Sequence, residues 1–306
     1  MSPVITGLSL FITSTECMIG ILFNFTIVLL NLLDWKQGRK LTQCDKILTL
    51  AALNNVLMQS YMNICTIIFV IAPDLAQKNT FFTIASSFQL FHIIYSFWVT
   101  SCLCFYYCLS IVNFKHRFLL RMKLKISTVV SSLLLVSGVG SFVFSILCNF
   151  SIHVNDLTEI GNGTDSMFFH NLGIEISPVY KVLIIVLGFC LPFGLAVVSV
   201  ALTLSSLWTH SWRMKQNSPN FSFARVAAHV RAARIMVILV FLYAVFCIAQ
   251  VTLMSSSWTI RTIWELVIFF LALTYPSLQS RALIFGNTKL RRFYMKICRC
   301  SMLNGY

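Results

Sequence analysis

Long apolar stretches separated by short polar segments recur along the whole chain. A helix needs about 20 mainly apolar residues to cross the hydrocarbon core of a membrane, and seven stretches reach that length. We therefore predict an all-α membrane protein, a seven-transmembrane helix bundle that forms a single domain over residues 1–306. The predicted spans are residues 8–33, 47–71, 82–112, 126–150, 179–207, 235–255 and 262–285, followed by a tail over 286–306.

Composition excludes a soluble globular protein. Of the 306 residues, 58% are hydrophobic and only 10% are charged, whereas soluble domains carry about 25% charged residues. The Phe, Met and Tyr residues are spread along the whole length. The apolar content is therefore not one anchor attached to a soluble domain.

The distribution of positive charge predicts the orientation of the bundle. Lys and Arg number 23 against 9 Asp and Glu, and short loops enriched in Lys and Arg are cytoplasmic. Most of the basic residues fall in four segments on one side, residues 36–46, 115–125, 213–234 and 289–299. We therefore expect an extracellular N-terminus. The positive charge then faces anionic inner-leaflet lipid, so membrane lipid is an expected partner and nucleic acid is not.

This orientation selects one glycosylation site. The pattern Asn-x-Ser/Thr occurs at Asn24, Asn149, Asn162 and Asn220, but only an extracellular site is glycosylated. Asn24 lies inside the first span, Asn149 is too near the membrane, and Asn220 is on the cytoplasmic side. We therefore predict a sugar on Asn162, at the centre of the longest outer loop.

The tail has the pattern of a short amphipathic helix on the cytoplasmic membrane surface. Its apolar face carries Leu290, Phe293, Tyr294 and Ile297, and its basic face carries Lys289, Arg292, Lys296 and Arg299. Cys298 and Cys300 are candidates for palmitoylation. Unmodified thiols fit the sequence equally well.

Polar residues inside the first two spans are expected to join helices. These residues are Asn24 and Asn31 in span one, and Asn54, Asn55 and Asn63 in span two. Lipid tails offer amides no hydrogen-bond partner, so we expect these side chains to face inward and to bond between helices. A polar network that changes partners during switching is the alternative.

The membrane-embedded residues do not support catalysis. An intramembrane hydrolase needs a His/Asp metal cluster or a nucleophile with a base, and of the six histidines only His92 lies within a span. We therefore expect no enzyme activity, no metal and no cofactor. A transporter would be expected to carry charged residues at mid-depth on facing helices, and these are absent. A signal transducer, in which binding outside shifts an equilibrium sensed inside, fits better.

Short strings in order along the chain are recognisable. They include Asp34-Trp35, Ile111-Val112-Asn113-Phe114, Leu191-Pro192-Phe193, Ser206-Leu207-Trp208-Thr209-His210, Tyr275-Pro276-Ser277 and Gly286-Asn287-Thr288-Lys289-Leu290. Together they resemble the type 2 taste receptors, which are bitter-sensing G-protein-coupled receptors. The resemblance implies a receptor that binds a small-molecule bitter ligand and activates a heterotrimeric G protein with a gustducin-like α subunit.

Some features differ from neighbouring families and from the taste receptors themselves. The chain has no Asp-Arg-Tyr at the end of span three and no Asn-Pro-x-x-Tyr in span seven, which argues against the rhodopsin-like receptors. A vomeronasal type 1-like chemoreceptor is the alternative among receptors. Compared with the taste-receptor pattern, Asn55 replaces a basic residue, Ser110 a lysine and Gln279 a histidine.

The resemblance also implies a ligand cavity in the outer half of the bundle, between helices two, three, five, six and seven. Trp98 corresponds to a tryptophan that lines this cavity in many members. The predicted ligand-binding residues are Trp98, its helical neighbours Tyr95, Val99 and Cys102, and, from their expected facing, Asn63, Gln250, Glu265 and Phe269. An aromatic wall with a few polar groups suits small amphipathic organic molecules.

Signal transfer is expected to run through helices six and seven, in the region of Tyr243 to Phe246. The inner ends of helices three, five and six would then open for a G-protein α subunit. The residues expected at that inner surface are Asn113, Phe114, His116, His210, Arg213, His229 and Arg231. For the basic members, attraction to inner-leaflet lipid alone is the alternative.

Overall fold

The computed structural model describes residues 3–76, 78–114, 116–156, 172–217, 223–255 and 263–303. The helices are α1 (Pro3–Lys36), α2 (Gln43–Ile71), α3 (Pro73–Ala76), α4 (Asn79–Ile111), α5 (Arg117–Leu124), α6 (Ile126–Ser151), α7 (Pro178–Leu183), α8 (Leu191–Asn217), α9 (Phe223–Ser255), α10 (Ile263–Gly286) and α11 (Thr288–Leu303). A π-helical segment, Ile184–Cys190, joins α7 to α8. Strands β1 (Ile152–Asp156) and β2 (Leu172–Ile176) pair antiparallel, with Ile152 opposite Ile176.

The all-α bundle predicted from the sequence is confirmed. The seven predicted spans correspond to α1, α2, α4, α6, the continuous α7–α8 segment, α9 and α10. Among the described residues, six helices have the length and hydropathy of a membrane span. α2 is also long enough, at 29 residues, but the buried polar side chains of Asn54, Asn55 and Gln59 make it less apolar.

Several helices extend beyond the apolar stretches that predicted them. α8 continues to Asn217 and α9 begins at Phe223. Their inner ends are polar, so the apolar pattern did not predict that they are helical. The short helix α5 and the hairpin were not predicted. α5 begins after His116, whose Nδ1 accepts a hydrogen bond from the Phe118 N–H at 3.3 Å, and it has no buried residues.

α4 occupies the centre of the bundle, in contact with α2, α6, α8 and α9. α1 packs against α2 and α10, and α9 packs against α8 and α10. Large apolar side chains such as Phe241, which is 66% exposed, point away from the bundle. A membrane is the solvent that makes such exposure favourable.

Two large apolar clusters and a small third cluster around Cys104 fill the described interior. The outer cluster includes Met58, Leu90, Ile94, Phe97, Phe189, Tyr243, Phe246, Leu253 and Tyr275. The inner cluster includes Ile27, Ile47, Leu48, Val99, Cys102, Leu103, Val130, Ile235, Leu239 and Leu283. The outer cluster lies on the side predicted to be extracellular, and the inner cluster lies towards the four basic segments.

The five asparagines of α1 and α2 all make hydrogen bonds between helices, as predicted. The bonds are Asn24 to the Pro276 carbonyl (3.4 Å), Asn31 to Thr49 (2.9 Å), Asn54 to the His92 carbonyl (3.1 Å), Asn55 to Gln279 (2.8 Å) and Ser14 to Asn63 (3.2 Å). These side chains thereby tie α1 and α2 to each other, to α4 and to α10. The amide groups therefore have partners that lipid cannot supply.

The amphipathic tail helix is also confirmed as α11. Its residue Leu290 is buried in the inner cluster, and the Tyr294 ring lies 5.8 Å from the Phe23 ring of α1. Cys298 lies in α11, as does Cys300, but their side chains are outside the described part of the structure, and so is the whole of Asn162.

Candidate functional site

Trp98 and its predicted neighbours do not share one environment. Trp98 is partly buried and packs against the outer cluster, whereas Tyr95, Val99 and Cys102 belong to the inner cluster. A Cβ atom added to Gly138 of α6 would lie 3.6 Å from the Tyr95 ring, so Tyr95 faces α6. The structure therefore separates Trp98 from the other three residues by their packing, and the prediction that all four line one ligand cavity stays a prediction.

The remaining predicted ligand residues lie on three helices. Asn63 of α2 accepts a hydrogen bond from Ser14 and so faces α1. Gln250 is buried on α9, and Phe269 of α10 packs against the outer cluster. Glu265 also lies in α10, but its side chain is outside the described residues. Of the predicted ligand-binding residues, Trp98 and Phe269 therefore pack against the outer cluster, and Gln250 is buried on α9.

An aromatic core lies at the centre of the bundle, and only two of its five residues were predicted from the sequence. We use this name for Phe97, Phe189, Tyr243, Phe246 and Tyr275, which are all buried. The Phe97 ring stacks on Tyr243 at 4.1 Å, and Phe246 stacks on Tyr275 at 4.1 Å. Phe97 also lies 5.0 Å from Phe189 and 5.2 Å from Phe246. These rings join α4, the π-helical segment, α9 and α10, and the two contacts of Phe97 with Phe189 and Phe246 have centroid separations typical of favourable aromatic pairs.

The two predicted switch residues, Tyr243 and Phe246, both belong to this aromatic core. The Tyr243 hydroxyl donates a hydrogen bond of 2.9 Å to the Phe189 carbonyl, inside the π-helical segment. Pro192 follows this segment and has no backbone N–H. A proline inside a helix disturbs the backbone hydrogen bonds one turn before it, and the tyrosine hydroxyl supplies an extra donor there.

A buried amide network lies next to the aromatic core. The Asn55 Nδ2 donates to Gln279 Oε1 at 2.8 Å, and Gln279 Nε2 donates to Thr100 Oγ1 at 2.7 Å and to the Tyr275 hydroxyl at 3.3 Å. Asn55 also donates to Asn24 Oδ1 at 3.2 Å. The network therefore connects α1, α2, α4 and α10 directly to one ring of the aromatic core.

Two of the three positions at which the sequence departs from the pattern it resembles lie in this network. Asn55 and Gln279 are neutral amides that are hydrogen-bonded to each other. Ser110, at the third position, is exposed and bonds to the Tyr106 carbonyl of its own helix. The bundle centre therefore holds a pair of neutral amides at this point.

The predicted inner surface is only partly described. Asn113 and Phe114 follow the end of α4, and Lys123 of α5 donates to the Val112 carbonyl at 2.7 Å and to Asn113 Oδ1 at 3.4 Å. His229 and Arg231 are partly exposed on the first turns of α9. The predicted residues His210 and Arg213 lie in α8, with side chains outside the described residues.

Comparison with known proteins agrees with this architecture. The family model of the taste receptor protein (TAS2R) matches residues 1–302. The chain belongs to the type 2 taste receptor family. It is 30% identical to taste receptor type 2 member 7 of Rattus norvegicus, over 97% of this chain and 96% of the relative. It is 31% identical to member 7 of Papio hamadryas, over 94% of this chain and 92% of the relative, and 29% identical to member 9 of Macaca mulatta, over 98% and 96%.

Membership of this family decides among the classes considered from the sequence. The receptor is a seven-helix G-protein-coupled receptor of the bitter taste family and a multi-pass protein of the plasma membrane. Taste receptors are not enzymes, as predicted. The vomeronasal and transporter alternatives are no longer needed, because the family match covers nearly the whole chain.

Proposed function

We propose that the receptor binds small amphipathic organic compounds in the outer half of its bundle and activates a heterotrimeric G protein with a gustducin-like α subunit. The observation that carries this proposal is the aromatic core, which joins the helices of the outer cluster at a single point. A ligand that changes the packing above this core acts on α4, α9 and α10 together.

The proposed cavity is bordered by Gln250 and Phe269, which lie one to two turns outward of the aromatic core, and by Trp98, which lies beside Phe97 at the depth of the core. Trp98 and Phe269 are partly buried against the outer cluster, so their rings have free surface to give to a ligand. Apolar contact supplies the affinity, and a buried amide such as Gln250 sets the orientation. We leave Tyr95, Val99 and Cys102 out of this cavity because they pack in the inner cluster.

The proposed signal begins at Tyr243. When a ligand displaces α9 relative to α4, the hydrogen bond from Tyr243 to the Phe189 carbonyl and the stacking on Phe97 change together. The inner ends of α4, α8 and α9 then separate and bind the G-protein α subunit. The residues proposed to contact that subunit are Asn113, Phe114, His116, His210, Arg213, His229 and Arg231.

The test of the ligand site is a calcium-flux screen of bitter compounds in cells that co-express the receptor and a promiscuous G protein. Once an agonist is found, we expect Trp98→Ala to raise its half-maximal concentration about tenfold, since one aromatic contact is worth about 1 kcal/mol or more. The matched control is Trp35→Ala at the inner end of α1, where the side chain is exposed, and it should leave the response unchanged. An unchanged response of Trp98→Ala at normal surface expression removes Trp98 from the site.

The test of coupling uses purified receptor and G protein. Agonist should stimulate nucleotide exchange, and His229→Ala should reduce the stimulated rate without changing agonist affinity. If the agonist binds but exchange is never stimulated by any G-protein α subunit, the proposed function is wrong.

A further inference from the structure

A basic groove lies between the inner end of α9 and the tail helix α11. The cavity has a volume of about 480 Å³. It is lined by Arg231 of α9 and by Thr288, Arg291, Arg292, Met295 and Lys296 of α11. We call it the α9–α11 groove.

The α11 side of the groove is one helical face. Residues 288, 291, 292, 295 and 296 follow the spacing i, i+3, i+4, i+7 and i+8, which places side chains on the same side of a helix. The other side of α11 carries Leu290 and Tyr294, which pack against the bundle. The groove face is therefore turned away from the inner cluster and is exposed.

The cations of the groove have no acidic partner within the described residues. Both ion pairs found there involve Asp34, with Arg39 at 3.1 Å and with Lys289. Arg231, Arg291, Arg292 and Lys296 thus bring four positive charges to one cavity without a neutralising carboxylate. These four positive charges repel one another, and a bound anion relieves that repulsion.

The position of α11 is fixed by contacts outside the groove. Lys289 pairs with Asp34 and donates a hydrogen bond of 2.7 Å to Asn31 Oδ1, which ties the start of α11 to α1. A Cβ atom on Gly286 would lie 2.8 Å from Ile235 Cγ1, so the missing side chain lets α9 approach the end of α10. The two walls of the groove are therefore held at a set separation before any ligand binds.

We propose that the α9–α11 groove binds the polyphosphorylated headgroup of an anionic inner-leaflet lipid. Three of the four cations are arginines, whose planar guanidinium groups bind phosphate through two parallel hydrogen bonds. Met295 is exposed among these cations and offers an apolar contact to the lipid. This combination fits an amphiphile better than a free phosphate. The proposal does not depend on the agonist, and the groove shares only Arg231 with the surface proposed for the G protein.

The experiment compares lipid binding by the full receptor in nanodiscs. The discs contain phosphatidylcholine with either phosphatidylinositol bisphosphate or phosphatidylserine, at equal total negative charge, and binding of a fluorescent phosphoinositide is measured. A basic residue in direct reach of the headgroup contributes about fivefold in affinity, and a residue more than a Debye length from it contributes little. The variant Arg291→Gln/Arg292→Gln should therefore bind the phosphoinositide about 25-fold more weakly.

A matched control removes the same charge from the same side of the bundle. Arg117→Gln/Arg121→Gln changes two exposed arginines on α5 and should weaken binding less than twofold, by about the loss of general surface potential. If the α11 variant fails to fold, Lys296→Gln replaces it, with an expected loss of about fivefold.

Three results would overturn the proposal. Equal losses in the α11 and α5 variants would show a general surface potential and no site. Equal binding of the fluorescent phosphoinositide in phosphatidylinositol bisphosphate discs and in phosphatidylserine discs would show that both lipids compete equally, so that the polyphosphate group is not recognised. Displacement of the lipid by an equal concentration of soluble inositol phosphate would make the groove a site for a free phosphate.

Discussion

The pair formed by Asn55 and Gln279 allows the amide network to be measured directly. Asn55→Ala removes the 2.8 Å bond to Gln279 and the 3.2 Å bond to Asn24. Gln279→Ala removes the same shared bond and the bonds to Thr100 and Tyr275. Because Asn55 is 0% exposed and Gln279 is 2% exposed, water cannot replace the lost partner without entering the bundle.

The expected magnitudes follow from membrane values for interhelical hydrogen bonds. These bonds average about 0.6 kcal/mol and reach about 1.7 kcal/mol, less than the cost of about 1–3 kcal/mol for an unsatisfied group buried in a soluble protein. We expect Asn55→Ala to lower the free energy of unfolding by about 1.5 kcal/mol and Gln279→Ala by about 2 kcal/mol, since it loses more bonds. The double variant should lose about 2.5 kcal/mol, which leaves a coupling energy of about 1 kcal/mol.

The assay is the unfolding free energy of purified receptor in bicelles for the wild type, both single variants and the double variant. Ser110→Ala combined with Asn55→Ala is the control pair, because Ser110 is exposed and bonds only within α4. Its effects should add within about 0.5 kcal/mol. If the losses of unfolding free energy for Asn55→Ala and Gln279→Ala are also additive, the conclusion that their shared hydrogen bond connects α2 to α10 is refuted.

Three further predictions test the other contacts. Tyr243→Phe keeps the ring but removes the donor to the Phe189 carbonyl. We expect the free energy of unfolding to fall by about 1 kcal/mol and the agonist response in the calcium assay to shift. Wild-type values of both would show that the hydroxyl does not connect α9 to the π-helical segment. Gly286→Ala drives a methyl group into Ile235 and should lower the free energy of unfolding by about 1–3 kcal/mol. The control Gly140→Ala places its methyl group in open space and should leave the melting temperature unchanged or slightly higher. Equal melting temperatures for the two variants would contradict this. Lys289→Gln breaks the tie to Asp34 and Asn31, so amide hydrogen exchange in α11 should become faster, and unchanged protection would show that other contacts hold the helix.

The sequence predicted the parts of the fold that depend on the contrast between polar and apolar segments. The helical bundle, with six helices of membrane-span length and hydropathy among the described residues, the amphipathic tail with Leu290 on its apolar face and the inward asparagines are confirmed. Each of these features concerns a polar group that must avoid lipid or a helix end that must reach water. Such requirements are visible in a single sequence.

The facing of apolar residues could not be predicted in the same way. In a soluble helix, the buried side is apolar and the exposed side is polar. In this bundle both sides are apolar, so Phe241 at 66% exposed and Phe246 at 2% exposed look alike in the sequence. For this reason the sequence does not distinguish the environments of Trp98 and Tyr95, and it does not indicate that Phe97 lies at the centre of the aromatic core.

The π-helical segment and the pairing of Asn55 with Gln279 required the three-dimensional arrangement. A proline such as Pro192 disturbs its helix, but its place in the sequence does not specify which carbonyl gains a new partner. The Tyr243 hydroxyl comes from another helix, 54 residues away along the chain. Contacts over such separations depend on the packing of whole helices.

The most direct test of the central claim is the distance between the inner end of α9 and the short helix α5, which follows the inner end of α4, in the presence of agonist. Genetically encoded spin labels at Val230 and Leu124, both exposed, report this distance in nanodiscs. The account predicts that saturating agonist lengthens it and that bound G protein lengthens it further. An unchanged distance under conditions where agonist stimulates nucleotide exchange would contradict the account.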